Sequence, residues 1–365
     1  MSTLMHAAAD GHADAMRVLL EHPSANPAAM MAWIDVDGST ALMCAAQNGH
    51  TDATRLLLNH PSADPAAMMV AATTSGDTVL TLTAQNGHVV TMRLLLNYRS
   101  VNPAGLMMHA TSNDETALML AVWNGFVDIM RLLLDHPSAD PVAMLTRANR
   151  TDGTVLMLAA WKGNVDAMRL LLNHPCADPA MMVAGQGSAA LMYAAWYGHV
   201  DAMRLLLDHP SADPAAMMFH LTSNGATVLL GAAQTGHVDA MRLLLNHRSA
   251  DPAAMINHAL PNGGTAVLVT SQNGHVDAML LLLDHESADP GAVLTDTTST
   301  LRDTALTLAV FKGHVDAMRL LLNHPFADAA VMMMRARFDG SAALTGASSK
   351  GHVAAMRLLP GLHGT

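Results

Sequence analysis

Residues 38–58 read Gly-Ser-Thr-Ala-Leu-Met-Cys-Ala-Ala-Gln-Asn-Gly-His-Thr-Asp-Ala-Thr-Arg-Leu-Leu-Leu, and close copies of this stretch fill the chain. A turn glycine marks each copy, at Gly11, Gly49, Gly87, Gly125, Gly163, Gly198, Gly236, Gly274, Gly313 and Gly351. Successive glycines are 38 residues apart, except for one spacing of 35 and one of 39. A fixed period of this size predicts a solenoid, in which each unit buries its apolar face by stacking on its neighbours.

The second copy predicts a pair of helices joined by a tight turn. Thr40 is suited to cap a first helix over residues 41–46, and Gly49 is suited to the left-handed turn that ends it. A second helix is expected over residues 50–58, because Pro61 disfavours helix at the residue before it.

A short third helix is predicted where Asp64 precedes Pro65, because aspartate caps helix N-termini and proline is favoured at the first helical position. The same signal recurs at Asn26, Asn102, Asp140, Asp178, Asp213, Asp251 and Asp289. The methionine pairs that follow are expected to pack onto the array. These pairs are Met30-Met31, Met107-Met108, Met181-Met182 and Met217-Met218.

An acidic and a basic residue three positions apart recur on the second helix, where they can pair on its solvent face. The pairs are Asp14/Arg17, Asp52/Arg55, Asp128/Arg131, Asp166/Arg169, Asp201/Arg204, Asp239/Arg242 and Asp316/Arg319. Exposed pairs contribute only about 0.3–0.5 kcal/mol each. We therefore assign these residues to the scaffold.

The repeat resembles that of the ankyrin family, whose pattern is roughly G-x-T-P-L-H-x-A-A-x-x-G-H-x-x-V-V-x-L-L-L-x-x-G-A-D-V-N over about 33 residues. Residues 38–50, 56–58 and 63–64 carry the resemblance. It implies an all-α, ankyrin-type solenoid of about ten stacked helix-turn-helix repeats, each with an extended finger loop. The unit here is about five residues longer than the family's. The Asp-Pro signal indicates that a short extra helix replaces part of the finger.

The whole chain, residues 1–365, is thus expected to form a single array. Its repeats fall approximately at 1–37, 38–75, 76–113, 114–151, 152–186, 187–224, 225–262, 263–301, 302–339 and 340–365. The first copy begins inside its first helix, whereas the last has a polar first helix, as a terminal repeat should. We therefore expect a capped C-terminus and an N-terminus that abuts further sequence.

Composition limits the compartment and the class of partner. Apolar residues make up 51% of the chain and charged residues 13%, which argues against disorder. No apolar run is long enough to span a bilayer, and no basic stripe suits a nucleic acid. The start of the chain lacks the pattern of a secretory signal, and Cys44 and Cys176 occupy different repeat positions. These features predict the cytoplasm, or alternatively the nucleus, and no membrane or nucleic-acid partner.

Histidine is abundant, with 21 residues, most of them at two fixed repeat positions. One row follows the turn glycine, at His12, His50, His88, His199, His237, His275, His314 and His352. The other ends the second helix, at His22, His60, His136, His174, His209, His247, His285 and His324. Adjacent repeats should place equivalent residues about 8–10 Å apart, too far to share a zinc ion bound at about 2.0–2.1 Å. We therefore expect helix-capping histidines and no metal site.

Three further histidines, His109, His220 and His258, lie six residues after a finger proline. His220 and His258 lie on adjacent fingers, where a weak pH- or metal-responsive pair is an alternative to solvated finger residues. No nucleophile elbow, phosphate loop or Cys-x-x-Cys pair occurs, so we expect neither catalysis nor a cofactor.

The sharper signal lies where the repeats differ, at the residue two positions before the turn glycine. This residue follows an Ala-Ala pair in half of the first helices, and we call its place the register position. In order it holds Ala9, Gln47, Gln85, Trp123, Trp161, Trp196, Gln234, Gln272, Phe311 and Ser349. The resemblance places this position on the concave face that ankyrin proteins use for partners. Tryptophan, tyrosine and arginine dominate interface hot spots. The predicted partner-binding residues are Trp123, Trp161, Trp196, Tyr197, Arg147, Arg150, Lys162 and Phe311.

Two interpretations of the tryptophan row stay open at this point. The rings form a binding patch, next to a notch opened by the finger at 181–188, which is three residues shorter than the others. Alternatively, the rings pack against the finger helices and their methionines. The predicted function is a monomeric, non-catalytic scaffold for a protein or an extended peptide. The alternatives are a substrate-recruiting arm of a larger enzyme and a surplus repeat protein with no dedicated partner.

Overall fold

The computed structural model describes residues 1–98, 102–151, 153–175, 186–299, 303–328, 332, 345 and 347–358. They form helices and turns, and the one β-type pairing among them is an isolated bridge between Ala110 and Thr116. The chain forms two compact units, Met1–Met182 and Val183–Thr365. Each unit repeats the same motif of a first helix, a second helix and a short third helix.

The first helices begin after a threonine in most repeats. In the first unit they span Thr3–Ala9, Ala41–Gln47, Val79–Asn86, Ala117–Asn124 and Val155–Lys162. In the second unit they span Ser188–Trp196, Val228–Thr235, Ala266–Asn273 and Ala305–Lys312. The Thr40 hydroxyl accepts a hydrogen bond from the Met43 amide, and Gly49 adopts φ 75°. Both predicted ends of this helix are therefore confirmed.

The second helices run back from the turn glycine. In the first unit they span Ala13–Glu21, Thr51–Asn59, Val89–Leu96, Val127–Leu134 and Val165–Leu172. In the second unit they span Val200–Leu207, Val238–Leu245, Val276–Leu283, Val315–Asn323 and Val353–Leu358. Predicted ion pairs form on them between Asp14 and Arg17 at 3.2 Å and between Asp52 and Arg55 at 3.2 Å.

The third helices begin at the finger proline, as the Asp-Pro and Asn-Pro signals predicted. They span Pro27–Ala32, Pro65–Val70, Pro103–Met107 and Pro141–Thr146 in the first unit, and Pro214–Met218, Pro252–Asn257 and Pro290–Thr295 in the second. Their methionines are buried at Met31, Met68, Met69, Met107, Met217 and Met218, which confirms the packing prediction there. The signal at Asp178, the Met181-Met182 pair, Cys176 and most of the shortened finger lie outside the described residues.

Within each unit, the first helices of consecutive repeats pack against one another, and the second helices stack in the same way. The first helix of the second repeat shows the consequence, because residues 41–46 are all buried. A short helix that is apolar on every side is stable only when covered all round. The stacked repeats provide that cover, so the core is a continuous column within each unit.

The histidines after the turn glycine link one repeat to the next. The side chain of His50 makes no hydrogen bond to its own helix; instead Nε2 donates to the carbonyl of Ala9, at 2.9 Å. His88 makes the same bond to Gln47, at 2.9 Å. These histidines therefore cap a helix end, but the end belongs to the preceding repeat. His275 and His314 repeat the bond in the second unit, to the carbonyls of Gln234 and Gln272.

The other histidine rows also have structural partners. At the end of the second helix, Nδ1 of His60 accepts the amide N–H of Ser62 at 3.1 Å. In the fingers, His109 and His258 donate to the carbonyls of Gly76 and Gly225, at 2.9 and 3.0 Å. The expectation of solvated finger histidines is wrong for these two residues. Each ties its finger to the preceding one.

Candidate protein-interaction surface

Two of the predicted tryptophans form an aromatic pair in the first unit. Trp123 and Trp161 each precede the last residue of a first helix, and both side chains are half-buried. Gly125 and Gly163 end these helices in the left-handed conformation. The ring centroids are 4.9 Å apart and the ring planes meet at 85°. This edge-to-face geometry places the positive edge of one ring against the negative face of the other.

Lys162 completes the cluster. Its Nζ lies 4.0 Å from the centroid of the Trp123 ring, while the side chain as a whole is exposed. An ammonium over the face of an indole is attracted by the ring quadrupole. We call Trp123, Trp161 and Lys162 the tryptophan–lysine cluster. It presents indole surface next to a positive charge.

The second unit repeats the lysine contact at another place. Nζ of Lys350 lies 4.0 Å from the centroid of the Phe311 ring, which is 40% exposed. In both cases the lysine comes 39 residues after the aromatic residue, one position beyond the register position of the next repeat. The sequence reasoning did not identify Lys350 as a partner of Phe311. The sequence contains a sign of this contact, because Lys162 and Lys350 hold the same position in their repeats.

Arg147 and Arg150 both connect neighbouring fingers. The guanidinium of Arg147 donates to the carbonyl of Met108 at 3.2 Å. The backbone amide of Arg150 donates to Asn113 at 3.2 Å, and its guanidinium lies 3.9 Å from the Asp114 carboxylate. These contacts hold the finger of the fourth repeat against that of the third. A direct role for the two arginines in binding stays a prediction.

Trp196 and Tyr197 lie in the second unit. The Trp196 ring is half-buried beside Gly231, where an added Cβ atom would lie 3.4 Å from Cε3 of the ring. Trp196 therefore packs on the first helix of the next repeat, a neighbour that neither interpretation named. Tyr197 is 43% exposed and stacks on His199, with ring centroids 6.4 Å apart. The continuity of the tryptophan row from Trp161 to Trp196 stays a prediction.

The fourth tryptophan, Trp33, was not among the residues predicted from the sequence. Trp33 is 44% exposed at the finger after the first repeat, together with Ile34 and Val36. The sequence does set this finger apart, because the positions of Trp33 and Ile34 are held by Ala71 and Ala72 in the next finger.

Two carboxyl groups of the fingers, those of Glu115 and Asp303, have raised pKa values. Burial raises the pKa of the Glu115 carboxyl, and the nearby charge of Asp77 raises it further. Burial also raises the pKa of the Asp303 carboxyl in the second unit. Both shifts disfavour the charged form.

The described residues contain neither a metal-binding cluster nor a membrane-spanning helix. No group of three or more His, Cys, Asp or Glu side chains is placed to hold a metal ion. No helix in the same residues has the length and apolar character needed to cross a bilayer.

The comparisons with known proteins agree with this architecture. A model of three ankyrin repeats matches residues 1–69, 66–144, 143–218 and 213–293, and a single-repeat ankyrin model matches residues 302–332. Among solved structures, the human ASB11 ankyrin repeat domain is similar, with a TM-score of 0.50 and 22% identity over 63% of this chain and 90% of that domain. No curated protein matches the chain. Since the repeat models cover most of its length, the chain belongs to the ankyrin repeat family.

Proposed function

We propose that this protein is a non-catalytic scaffold that binds a protein or an extended peptide through the tryptophan–lysine cluster. Ankyrin repeats are generally protein–protein interaction modules. The observation that carries the proposal is the contact of Trp123 with both Trp161 and Lys162 at the surface of the first unit. Half-buried tryptophans are typical anchors of protein interfaces.

The geometry favours affinity because the anchors are already held in place. The edge-to-face contact and the ammonium over the Trp123 ring restrict the rotamers of all three side chains. Binding then costs less side-chain entropy than it would for freely rotating residues. The stacking of the fourth repeat on the fifth also fixes the distance between Trp123 and Trp161, so the two anchors are presented at a defined spacing.

The chemistry of the cluster indicates the partner's side chains. The indole rings offer apolar area, and the exposed Lys162 offers a positive charge. A segment with an apolar side chain next to a carboxylate would cover the rings and pair with the ammonium. Arg147 and Arg150 support this surface by holding the adjacent finger.

Further contacts are proposed in the second unit. The exposed Tyr197 and Phe311, together with Trp196, provide aromatic side chains for the same partner or for another segment of it. We also propose that the protein acts as a monomer in the cytoplasm or nucleus.

The proposal is tested by affinity capture followed by mass spectrometry, comparing the full chain with three variants. Trp161→Ala removes an anchor, and Lys162→Glu reverses the charge without touching the core. Gln85→Ala is the matched control, since Gln85 is an exposed residue at the same register position of the third repeat. We expect one or more proteins to be captured by the wild type and the control and lost with the first two variants.

Thermal unfolding of each variant separates binding from folding. If folded Trp161→Ala and Lys162→Glu proteins capture the same partners as the wild type, the proposal is wrong. If Trp161→Ala lowers the melting temperature strongly while Lys162→Glu leaves both stability and capture unchanged, the rings are packing residues only.

A further inference from the structure

In the second unit, we propose that the groove between the second helices Val238–Leu245 and Val276–Leu283 binds a basic segment of a partner protein that also carries an apolar side chain. We call it the repeat 7–8 groove. It has a volume of about 850 Å³. Its lining combines an apolar floor with carboxylates, and the proposal is independent of the tryptophan–lysine cluster.

The apolar floor of the groove includes a leucine at a position where the other repeats have arginine. Nine of the ten repeats have arginine as the fifth residue of the second helix, whereas the eighth has Leu280. The nine are Arg17, Arg55, Arg93, Arg131, Arg169, Arg204, Arg242, Arg319 and Arg357. Leu280 and Leu281 are half-buried and line the groove with Val238. Three aliphatic side chains therefore form a strip that remains open to a ligand.

The charge of the groove depends on this departure from the repeat and on two further residues, Asp284 and Glu286, whose equivalents in the preceding repeat are Asn246 and Arg248. Asp277 has no arginine three residues later, and its exposed carboxylate faces the groove with those of Asp284 and Glu286. Asp284 also lies 3.8 Å from Nε2 of His324. The groove contains one arginine, Arg242, which lies 3.9 Å from Asp239 of its own helix.

The lining also includes His285. Its Nδ1 accepts the amide N–H of Ser287 at 3.2 Å, so this nitrogen is already used within the turn. Three carboxylates against one arginine give the groove a negative balance at neutral pH. A segment with arginine or lysine complements this balance.

The neighbouring groove, between Val200–Leu207 and Val238–Leu245, is an internal comparison. Its volume is about 880 Å³, nearly that of the repeat 7–8 groove. It carries the three arginines Arg204, Arg242 and Arg248 against the two aspartates Asp208 and Asp239. The stacking of repeats therefore produces the shape in both places. The repeat 7–8 groove differs from its neighbour in its negative balance and in having Leu280 where the neighbour has Arg242.

The occupant follows from these two properties. An apolar side chain that enters the strip removes Leu280 and Leu281 from water. Basic side chains on either side then reach Asp277 and Glu286 at the rim, where complementary charge fixes orientation and raises the association rate. A segment with charge but no apolar side chain would leave the strip uncovered and bind weakly.

The experiment uses the full chain and fluorescently labelled peptides followed by anisotropy. The probe is a short peptide of alternating arginine and leucine, and its two controls alternate arginine with serine and glutamate with leucine. We expect the arginine–leucine peptide to bind most tightly. Leu280→Arg, which restores the residue of the other repeats, should weaken its binding about tenfold, which corresponds to about 1.4 kcal/mol. Asp277→Asn should weaken it severalfold.

Asp166→Asn is the matched control, because Asp166 holds the equivalent position of the fifth repeat in the first unit. Asp166→Asn makes the same change in net charge as Asp277→Asn and should leave binding of the arginine–leucine peptide unaltered. The proposal is overturned if folded Leu280→Arg protein binds the probe as tightly as the wild type, or if the arginine–serine peptide binds equally well. It is also overturned if light scattering shows that the wild type self-associates and Leu280→Arg does not, since the groove would then hold a second copy.

Discussion

The indole of Trp161 packs edge-to-face against that of Trp123, with the ring centroids 4.9 Å apart. The two residues belong to different repeats and are separated by 38 positions in the sequence. The contact therefore reports how the fourth and fifth repeats stack, and it fixes two potential anchors relative to each other.

The first prediction measures the energy of this contact. A double-mutant cycle of Trp123→Ala and Trp161→Ala, followed by urea unfolding, should give a coupling free energy of about 0.5–1.5 kcal/mol. A second cycle pairs Trp161→Ala with Trp33→Ala, whose finger lies several repeats away, and should be additive within about 0.5 kcal/mol. A coupling near zero in the first cycle would show that the two rings do not support each other.

The second prediction concerns the histidine link between repeats. His88→Ala leaves the carbonyl of Gln47 without its donor and should lower the free energy of unfolding by about 1–2 kcal/mol. His88→Asn should recover part of this loss. At the equivalent place in the fifth repeat, the amide of Asn164 already donates to the carbonyl of Val122, at 2.8 Å. Equal stabilities of the alanine and asparagine variants would contradict this role.

The third prediction uses the glycine opposite Trp196. Gly231→Leu introduces the residue type that Leu120 and Leu158 supply at the same repeat position. An added Cβ already lies 2.9 Å from Sδ of Met192 and 3.4 Å from the Trp196 ring. The larger side chain should therefore displace the ring and cost about 1–3 kcal/mol, with a shift in tryptophan fluorescence.

Gly231→Ala is the control for that experiment. Alanine favours a helix over glycine by about 1 kcal/mol, and the flexible Met192 side chain can move away from one extra methyl group. We expect little change in stability or fluorescence. A Gly231→Leu protein with wild-type stability and an unchanged spectrum would exclude close packing of Trp196 on this helix.

The fourth prediction is a pH dependence at Glu115. Since burial and Asp77 raise the pKa of this carboxyl in the folded state, the native protein binds more protons than the unfolded chain at pH values between the unfolded and folded pKa. The contribution of Glu115 to stability therefore falls as the pH rises through that window and is unfavourable above it. Glu115→Gln should raise the melting temperature at neutral pH.

Well below the unfolded pKa of glutamate both states are protonated, so the gain from Glu115→Gln should disappear there. Melting curves of the two proteins across the acid range provide the measurement. A gain of the same size at every pH would assign the effect to packing rather than to charge.

Much of the candidate site was visible in the sequence. The register position identified Trp123 and Trp161 because the turn glycine two residues later fixes their place near the end of each first helix. The partners of these rings were not visible. The contact of Lys162 with Trp123 joins residues 39 positions apart, and the orientation of a long side chain depends on the neighbour that it meets.

The sequence by itself determined the repeat, the ends of its helices and the family. These follow from short-range signals, since a threonine cap, a left-handed glycine or a proline acts within one or two turns of the chain. The tertiary structure alone decided which carbonyls His50 and His88 cap and which rings Lys162 and Lys350 cover. It also decided how the leucine of the eighth repeat lines a groove. These contacts cross from one repeat to the next, so their geometry is set by the stacking of helices.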